Sequence, residues 1–440
     1  MKFIFVLLFF FLFQSCSFDK KSGIWKNENI IDNKTSDSFK DFETLIIFNT
    51  SFNSVIENDN FTFKLIKPAK ISEWSDIYFQ ESNNFKNFSY GGQNELILKS
   101  KKLSRYNTSD YILYKKNNVI LSDDRGNIIN FSIKQNEIID DFNFYKKHYK
   151  KIKKNLNLII QDNIVFVSDN LGYLYAYDLI KKKIIWAKNY EIPFRSNLKI
   201  FEDKLITSNQ NNILYFFDKN SGNILKLIPT EETIAKNEFE NNLSVNAESL
   251  YFLNTYGSLY SIDNSTMRIN WFINLNQSLN TNSGNIFKST KIIHNKKRIV
   301  ISTNNTTYIV DSDNGSVLFK KNFISILKPI IINNYLFLIT KNNFLIAMDL
   351  NSGKIIYSYD TNQQIADFLN IKKKKAEYKN FFIVNNKILI FLKNSYVLQF
   401  NINGKLEKAS KLKLKMKSNP IFIDDKLIFL STKKKLVILS

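Results

Sequence analysis

One unit of sequence recurs through most of this chain and constrains its fold more than any other feature. Residues 163–190 read NIVFVSDNLGYLYAYDLIKKKIIWAKNY. The stretch predicts three consecutive strands, 163–168, 173–177 and 184–188. Each is rich in β-branched and aromatic residues, and Gly172 and Asp178 cut between them. Runs of that length and punctuation are antiparallel strands joined by tight turns.

The copies align on the residue that ends the middle strand: Ser132, Asp178, Asp218, Asp263, Asp311, Asp349, Asn401 and Ser440. They stand about 38 to 52 residues apart, the period of four-stranded propeller blades. Six residues before these positions lie Gly126, Gly172, Asn212, Gly257, Asn305, Asn343, Ser395 and Lys434. Gly and Asn predominate there, the residues that most readily take the positive φ of a tight hairpin. After the Asp, Gly222, Gly315 and Gly353 come four residues on, and Gly404 one residue early. Trp186, Trp271, Phe319 and Tyr357 come eight residues on, whereas Asp140, Lys226 and Ala409 occupy that place in weaker copies. The Asp caps the turn, and the aromatic is placed to pack between neighbouring blades.

DLNSGKIIYSY at 349–359 and DLIKKKIIWAK at 178–188 resemble the PQQ-like propeller repeat. Eight copies imply an all-β, eight-bladed propeller of four-stranded antiparallel blades. The last copy stops before its outer strand. An N-terminal strand is therefore expected to close the ring, from residues 94–103 or, second, 61–66.

Met1–Ser15 has one Lys and then an apolar run from Phe3 to Phe13, too short to span a bilayer, which takes about 20 residues. It reads as a signal peptide. Ser15-Cys16 resembles a bacterial lipobox, so Cys16, the sole cysteine, is the expected lipidation site. Ser17 follows it rather than Asp, which by the same resemblance favours the outer membrane, with the chain anchored on its periplasmic side. Residues 16–40 are a polar tether and 41–440 the propeller domain.

The net charge is +22, carried in lysine runs such as Lys181–Lys183, Lys372–Lys375 and Lys433–Lys435. Such a field favours anionic partners. The abundance of Lys, Asn, Ile and Phe also fits A/T-rich coding. The aromatics follow the blade period instead of a basic groove, so no nucleic-acid partner is expected. The alternation Lys411 to Lys417 reads as an outer strand with edge lysines. His148 and His294 have no ligand cluster nearby, and neither a GxSxG motif nor a phosphate-binding loop occurs.

Behind a lipobox, the eight PQQ-like blades resemble the BamB family. That implies a non-enzymatic scaffold of the outer-membrane β-barrel assembly machinery, monomeric within a hetero-complex and without a cofactor. Its implied partners are a BamA-like protein and unfolded outer-membrane clients. The family's docking loop follows the third blade. The matching segment here is 231–240, EETIAKNEFE, which offers Ile234, Lys236, Glu238 and Phe239 as partner contacts but lacks the family's Leu-x-Leu-Arg. One alternative is a quinone-dependent dehydrogenase, which shares the repeat. The resemblance implies an adjacent-Cys disulfide, a Trp floor, calcium and an Asp base there, and one cysteine cannot supply the disulfide. A second alternative is an envelope lipoprotein that binds an anionic lipid or polymer.

Overall fold

In the second copy, Tyr173–Asp178 pairs antiparallel with Ile164–Asp169 on one side and with Lys183–Asn189 on the other. Leu156–Gln161 adds the innermost strand. The computed structural model describes residues 52–145, 149, 151–232, 240–276, 287–303 and 306–440, with the strand pairs 17–18 and 25–26. It divides into a unit Met1–Thr50 and a unit Ser51–Ser440. In the first, Ser17–Phe18 pairs antiparallel with Trp25–Lys26.

The second unit is an eight-bladed propeller of four-stranded antiparallel sheets. Blades one to seven span residues 108–143, 156–189, 199–228, 242–274, 293–321, 330–360 and 378–411. Blade eight takes three strands from residues 421–439, and its outer strand is Leu96–Lys102, paired antiparallel with Lys435–Leu439. That strand lies within the expected 94–103. Residues 61–66 form no strand; Phe61 and Phe63 instead pack edge-on against Tyr335 of blade six.

The spacing rules of the repeat appear as contacts. Asp178 Oδ1 accepts from the Ile180 and Lys181 N–H groups at 2.9 and 2.8 Å, and Asp218, Asp263, Asp311 and Asp349 accept backbone N–H bonds in the same way. The aromatic of one blade then lies on the turn glycine of the next. A Cβ on Gly222 would sit 2.5 Å from the Trp186 ring, and one on Gly315 2.5 Å from Trp271. Trp186 Nε1 also donates to the Lys219 carbonyl of blade three at 2.9 Å. Between the third and fourth strands of blades one to seven the register slips by one residue, as at Ala176/Tyr177. A bulge there bends the outer strand and aims the aromatic at its neighbour. Where the repeat degenerates, another contact substitutes: Asp140 accepts from the Tyr177 hydroxyl of blade two at 2.6 Å.

The alternation at 411–417 is read differently by the fold. Only Lys411 ends blade seven's outer strand, Leu406–Lys411. Residues 412–417 connect to blade eight, with Leu412 and Met416 buried and Lys413 and Lys415 exposed.

The axis of the ring is filled by the chain itself. The approach to blade one, around Trp74, folds into a plug that meets the inner strand of every blade in order. Trp74 bridges Tyr114 of blade one, and Asp76 bridges Ile159 of blade two. Asp76 also meets Lys199 of blade three at 2.6 Å. Asn83 Nδ2 donates to Leu243 O of blade four and Ile292 O of blade five at 2.8 and 3.0 Å. The Asn84 side chain exchanges two hydrogen bonds with Ile331 of blade six. Asn87–Phe88 runs parallel to Ile383–Val384 of blade seven as a fifth strand. Phe88 stacks on Phe422 of blade eight at 5.4 Å.

Phe88 is fully buried, with Trp74, Phe79, Phe85 and Phe382 also around it. Phe88→Ala is expected to destabilise the propeller by about 3–5 kcal/mol, because the surrounding rings, fixed in the plug and on blades seven and eight, cannot collapse into the space left. Chemical denaturation measures this; a loss under about 1 kcal/mol would mean that the plug does not hold the ring together.

Candidate functional site

The strand order gives the ring two unlike ends. Inner strands finish at the end that the plug closes, where Gly91 N–H donates to Asp425 O and Asp424 N–H to Ile71 O. Connections between blades enter the inner strands at the other end.

Charge lies buried under the plug. Lys199 and Asp76 are almost wholly buried, and Lys199 Nζ also donates to Gln80 O at 2.8 Å. Lys328 Nζ donates to Tyr78 O and Asn83 O at 3.0 and 2.5 Å and sits 3.3 Å above the Phe85 ring. Burial pushes its ammonium well below the ordinary range, and Lys199 adds repulsion that Asp76 opposes. His294, on blade five's inner strand, places its two ring nitrogens 3.1 Å from Asn295 O and Val245 O. Burial lowers its pKa to about 4, although both carbonyls favour the proton.

The connection from blade three to blade four is fastened at both ends. Thr230 Oγ1 donates to Asn212 O at 2.7 Å, and Asn212 Nδ2 donates to Glu231 O at 2.8 Å. The Glu231 carboxylate accepts from Tyr260, Ser258 and Asn254 at 2.6, 2.8 and 2.9 Å. Burial opposes its ionisation, but those three bonds together with its own backbone N–H outweigh it and hold the carboxyl below the usual range. At the other end Glu240 pairs with Lys291 at 2.5 Å, and that lysine lowers its pKa. The candidate contacts Ile234, Lys236, Glu238 and Phe239 lie between these anchors and outside the described residues, as do Cys16 and His148. The next connection, 277–291, carries only basic charge and lacks the acidic contacts that the family resemblance implies, and 277–286 of it is likewise outside. The sequence by itself does not mark these anchors. Thr230-Glu231 is an unremarkable pair in sequence until Tyr260 and Asn254 are brought to it by blade four.

The quinone and calcium implied by the dehydrogenase alternative do not fit these residues. Trp74 is buried in the plug, while Trp186 and Trp271 sit between blades on glycines. Among the described residues no three His, Cys, Asp or Glu side chains gather as a metal site.

A family model described as outer membrane protein assembly factor BamB matches residues 147–359. The structure resembles BamB from Moraxella catarrhalis, with a TM-score of 0.61 at 13% identity, over 79% of this chain and 99% of that one. It also resembles a computationally designed protein, Ika8 (0.57, 11%, 78% and 99%). A third likeness is to quinohemoprotein alcohol dehydrogenase from Comamonas testosteroni (0.58, 11%, 84% and 81%). No curated protein sequence matches. The BamB-like repeat read from residues 349–359 and its copies is thus recovered in sequence and in fold, while likeness at such identities extends to the fold alone.

His294 gives the buried interior a pH signature. Below about 6.5 the unfolded imidazole takes up a proton that the folded one refuses until about 4, so stability rises with pH across that interval. The contribution is on the order of 3 kcal/mol, absent at pH 4 and complete above 6.5. Urea unfolding at pH 7 and pH 4.5 should show a smaller difference for His294→Gln than for the parent chain; equal differences would remove His294 from the account.

Proposed function

We propose that this chain is a non-enzymatic scaffold of outer-membrane barrel assembly, lipid-anchored through Cys16 on the periplasmic side. The observation that carries the reading is the mounting of the connection between blades three and four. Both ends of that connection are held by a carboxylate, Glu231 in a hydrogen-bonded seat and Glu240 in an ion pair, which gives the segment two fixed attachments to the ring. Ile234 and Phe239 supply a small apolar anchor there, with Lys236 and Glu238 as polar rim, the pattern of a protein contact. The family model's description supports barrel assembly as the setting. A plug on the axis also leaves the outside of the ring, rather than its centre, as the working surface. The partner is a BamA-like protein, and unfolded barrel proteins are the clients.

Replacing Ile234 and Phe239 together by Ser should weaken co-purification of the assembly protein and leave the melting temperature nearly unchanged. If both side chains instead fold back onto blade four, the loss is one of stability, by about 2–5 kcal/mol for each. Full recovery of the partner with the double variant removes this loop from the interface.

Anchoring is tested separately. Cys16→Ala should release the protein from the membrane fraction into the soluble periplasm. A variant that stays in the membrane with unchanged mass would rule out lipidation at this residue.

A further inference from the structure

The connection between blades six and seven carries a surface that the docking reading leaves unused. It opens with the helix Thr361–Leu369, which sequence patterning did not indicate. Asp360 caps it, its Oδ1 accepting from the Asn362 and Gln363 N–H groups at 2.9 and 3.2 Å. The first turn is fastened to the ring. Thr361 Oγ1 donates to Asn343 O at 2.7 Å, and the Gln364 amide spans Gly404 O and the Leu406 N–H at 2.8 and 2.9 Å.

The other end of the helix is uncovered. Phe368, Leu369 and Ile371 are 47%, 40% and 50% exposed, three large apolar side chains within four residues. Asn370, at φ 53°, terminates the helix between them. Four exposed lysines follow, Lys372–Lys375. Lys373 is drawn back to Asp360 at 2.6 Å, which leaves Lys372, Lys374 and Lys375 pointing their charge at solvent. The chain then enters a cleft of about 490 Å³ between blades one, seven and eight, where Lys379, Lys393, Lys415 and Lys417 meet Asp110 and Glu377. Three of those cleft lysines are already partnered: Lys379 Nζ donates to Lys417 O, Lys417 Nζ to Asn107 Oδ1 and Thr108 O, and Lys393 pairs with Glu377, so the free charge that follows the helix is that of Lys372, Lys374 and Lys375.

Lysines alone would suit any anion, and an apolar tip alone would suit any hydrophobic partner. Their adjacency on a pinned helix end is what selects. Apolar side chains that enter an acyl boundary, beside lysines at the headgroup level, are the two parts of interfacial membrane binding. We infer that the connection between blades six and seven binds an anionic lipid surface. Phe368, Leu369 and Ile371 enter the acyl boundary, and Lys372, Lys374 and Lys375 neutralise the headgroups. The contact is independent of the docking loop.

The chain has its own leading apolar stretch, so bulk vesicle binding does not discriminate, and the test reads one side chain. The full chain carrying Cys16→Ser and Leu369→Cys is labelled with an environment-sensitive fluorophore. It is then titrated with phosphatidylcholine vesicles with or without phosphatidylglycerol. The emission should shift to the blue only with phosphatidylglycerol. Adding Lys372→Gln, Lys374→Gln and Lys375→Gln should raise the lipid needed roughly tenfold or more. Lys373 is retained because it pairs with the helix cap, and an unchanged melting temperature checks the fold. The same label at Phe272→Cys, on blade four's outer strand, should stay silent. A label at 369 that ignores both vesicles overturns the inference. So does an equal shift at 272, or a shift produced by soluble polyglutamate in place of vesicles, which would assign the surface to an acidic protein.

Discussion

The contact of one N-terminal segment with the inner strand of every blade is the constraint on which this propeller depends. A ring of separate sheets has little at its centre to define how far apart the blades stand. Here Trp74, Phe79, Phe85 and Phe88 form a single buried cluster with Phe382 and Phe422. Around it the backbone groups of the plug are spent on the ends of inner strands, in parallel and antiparallel bridges. The plug thus supplies hydrophobic burial and hydrogen-bond satisfaction at the one place where neighbouring sheets cannot supply them to each other.

The outer contacts follow a different logic. Blades two, four, five and six each pass the next blade an aromatic ring, received on a turn glycine of positive φ, as at Gly222 (73°) and Gly315 (77°). These contacts are periodic because they arise between adjacent copies of the same unit. The axial contacts are not periodic, because a single segment must answer eight slightly different inner strands. Asp76 answers Lys199, while Asn84 answers the backbone of Ile331.

That difference decides how much could be read from sequence. The Asp, the glycine and the aromatic recur at fixed offsets, so blade number, strand order and the inter-blade packing of Trp186 and Trp271 were legible. Even Ser395 and Lys434, which break the Gly/Asn pattern, take the positive φ that the position demands, at 75° and 59°. The plug was not legible. Residues 73–91 have no helical or strand period, and their partners lie up to several hundred positions away. The helix at 361–369 was missed for another reason: Asp360 doubles as the last residue of a strand, which hides its role as a cap. Of the connection between blades three and four, its place after the third blade was legible and its anchors were not. Glu231 acquires its meaning from Tyr260, Ser258 and Asn254 in the following blade.

Blade eight joins the two ends of the propeller in one sheet, with Leu96–Lys102 laid against Lys435–Leu439. In a chain pulled from its N-terminal side, that edge strand would seem the weak seam, since a strand at a sheet's rim can be peeled off one hydrogen bond at a time. The load does not reach it first. Before residue 96, tension must draw Phe52 from between Phe323 and Phe344, break the Ile56–Ser358 bridge, and then extract the plug from the axis against all eight blades at once. The ring is therefore built as a strain relief: traction on the leading end is carried by rings and bridges loaded together, and the seam that closes the circle is shielded from it.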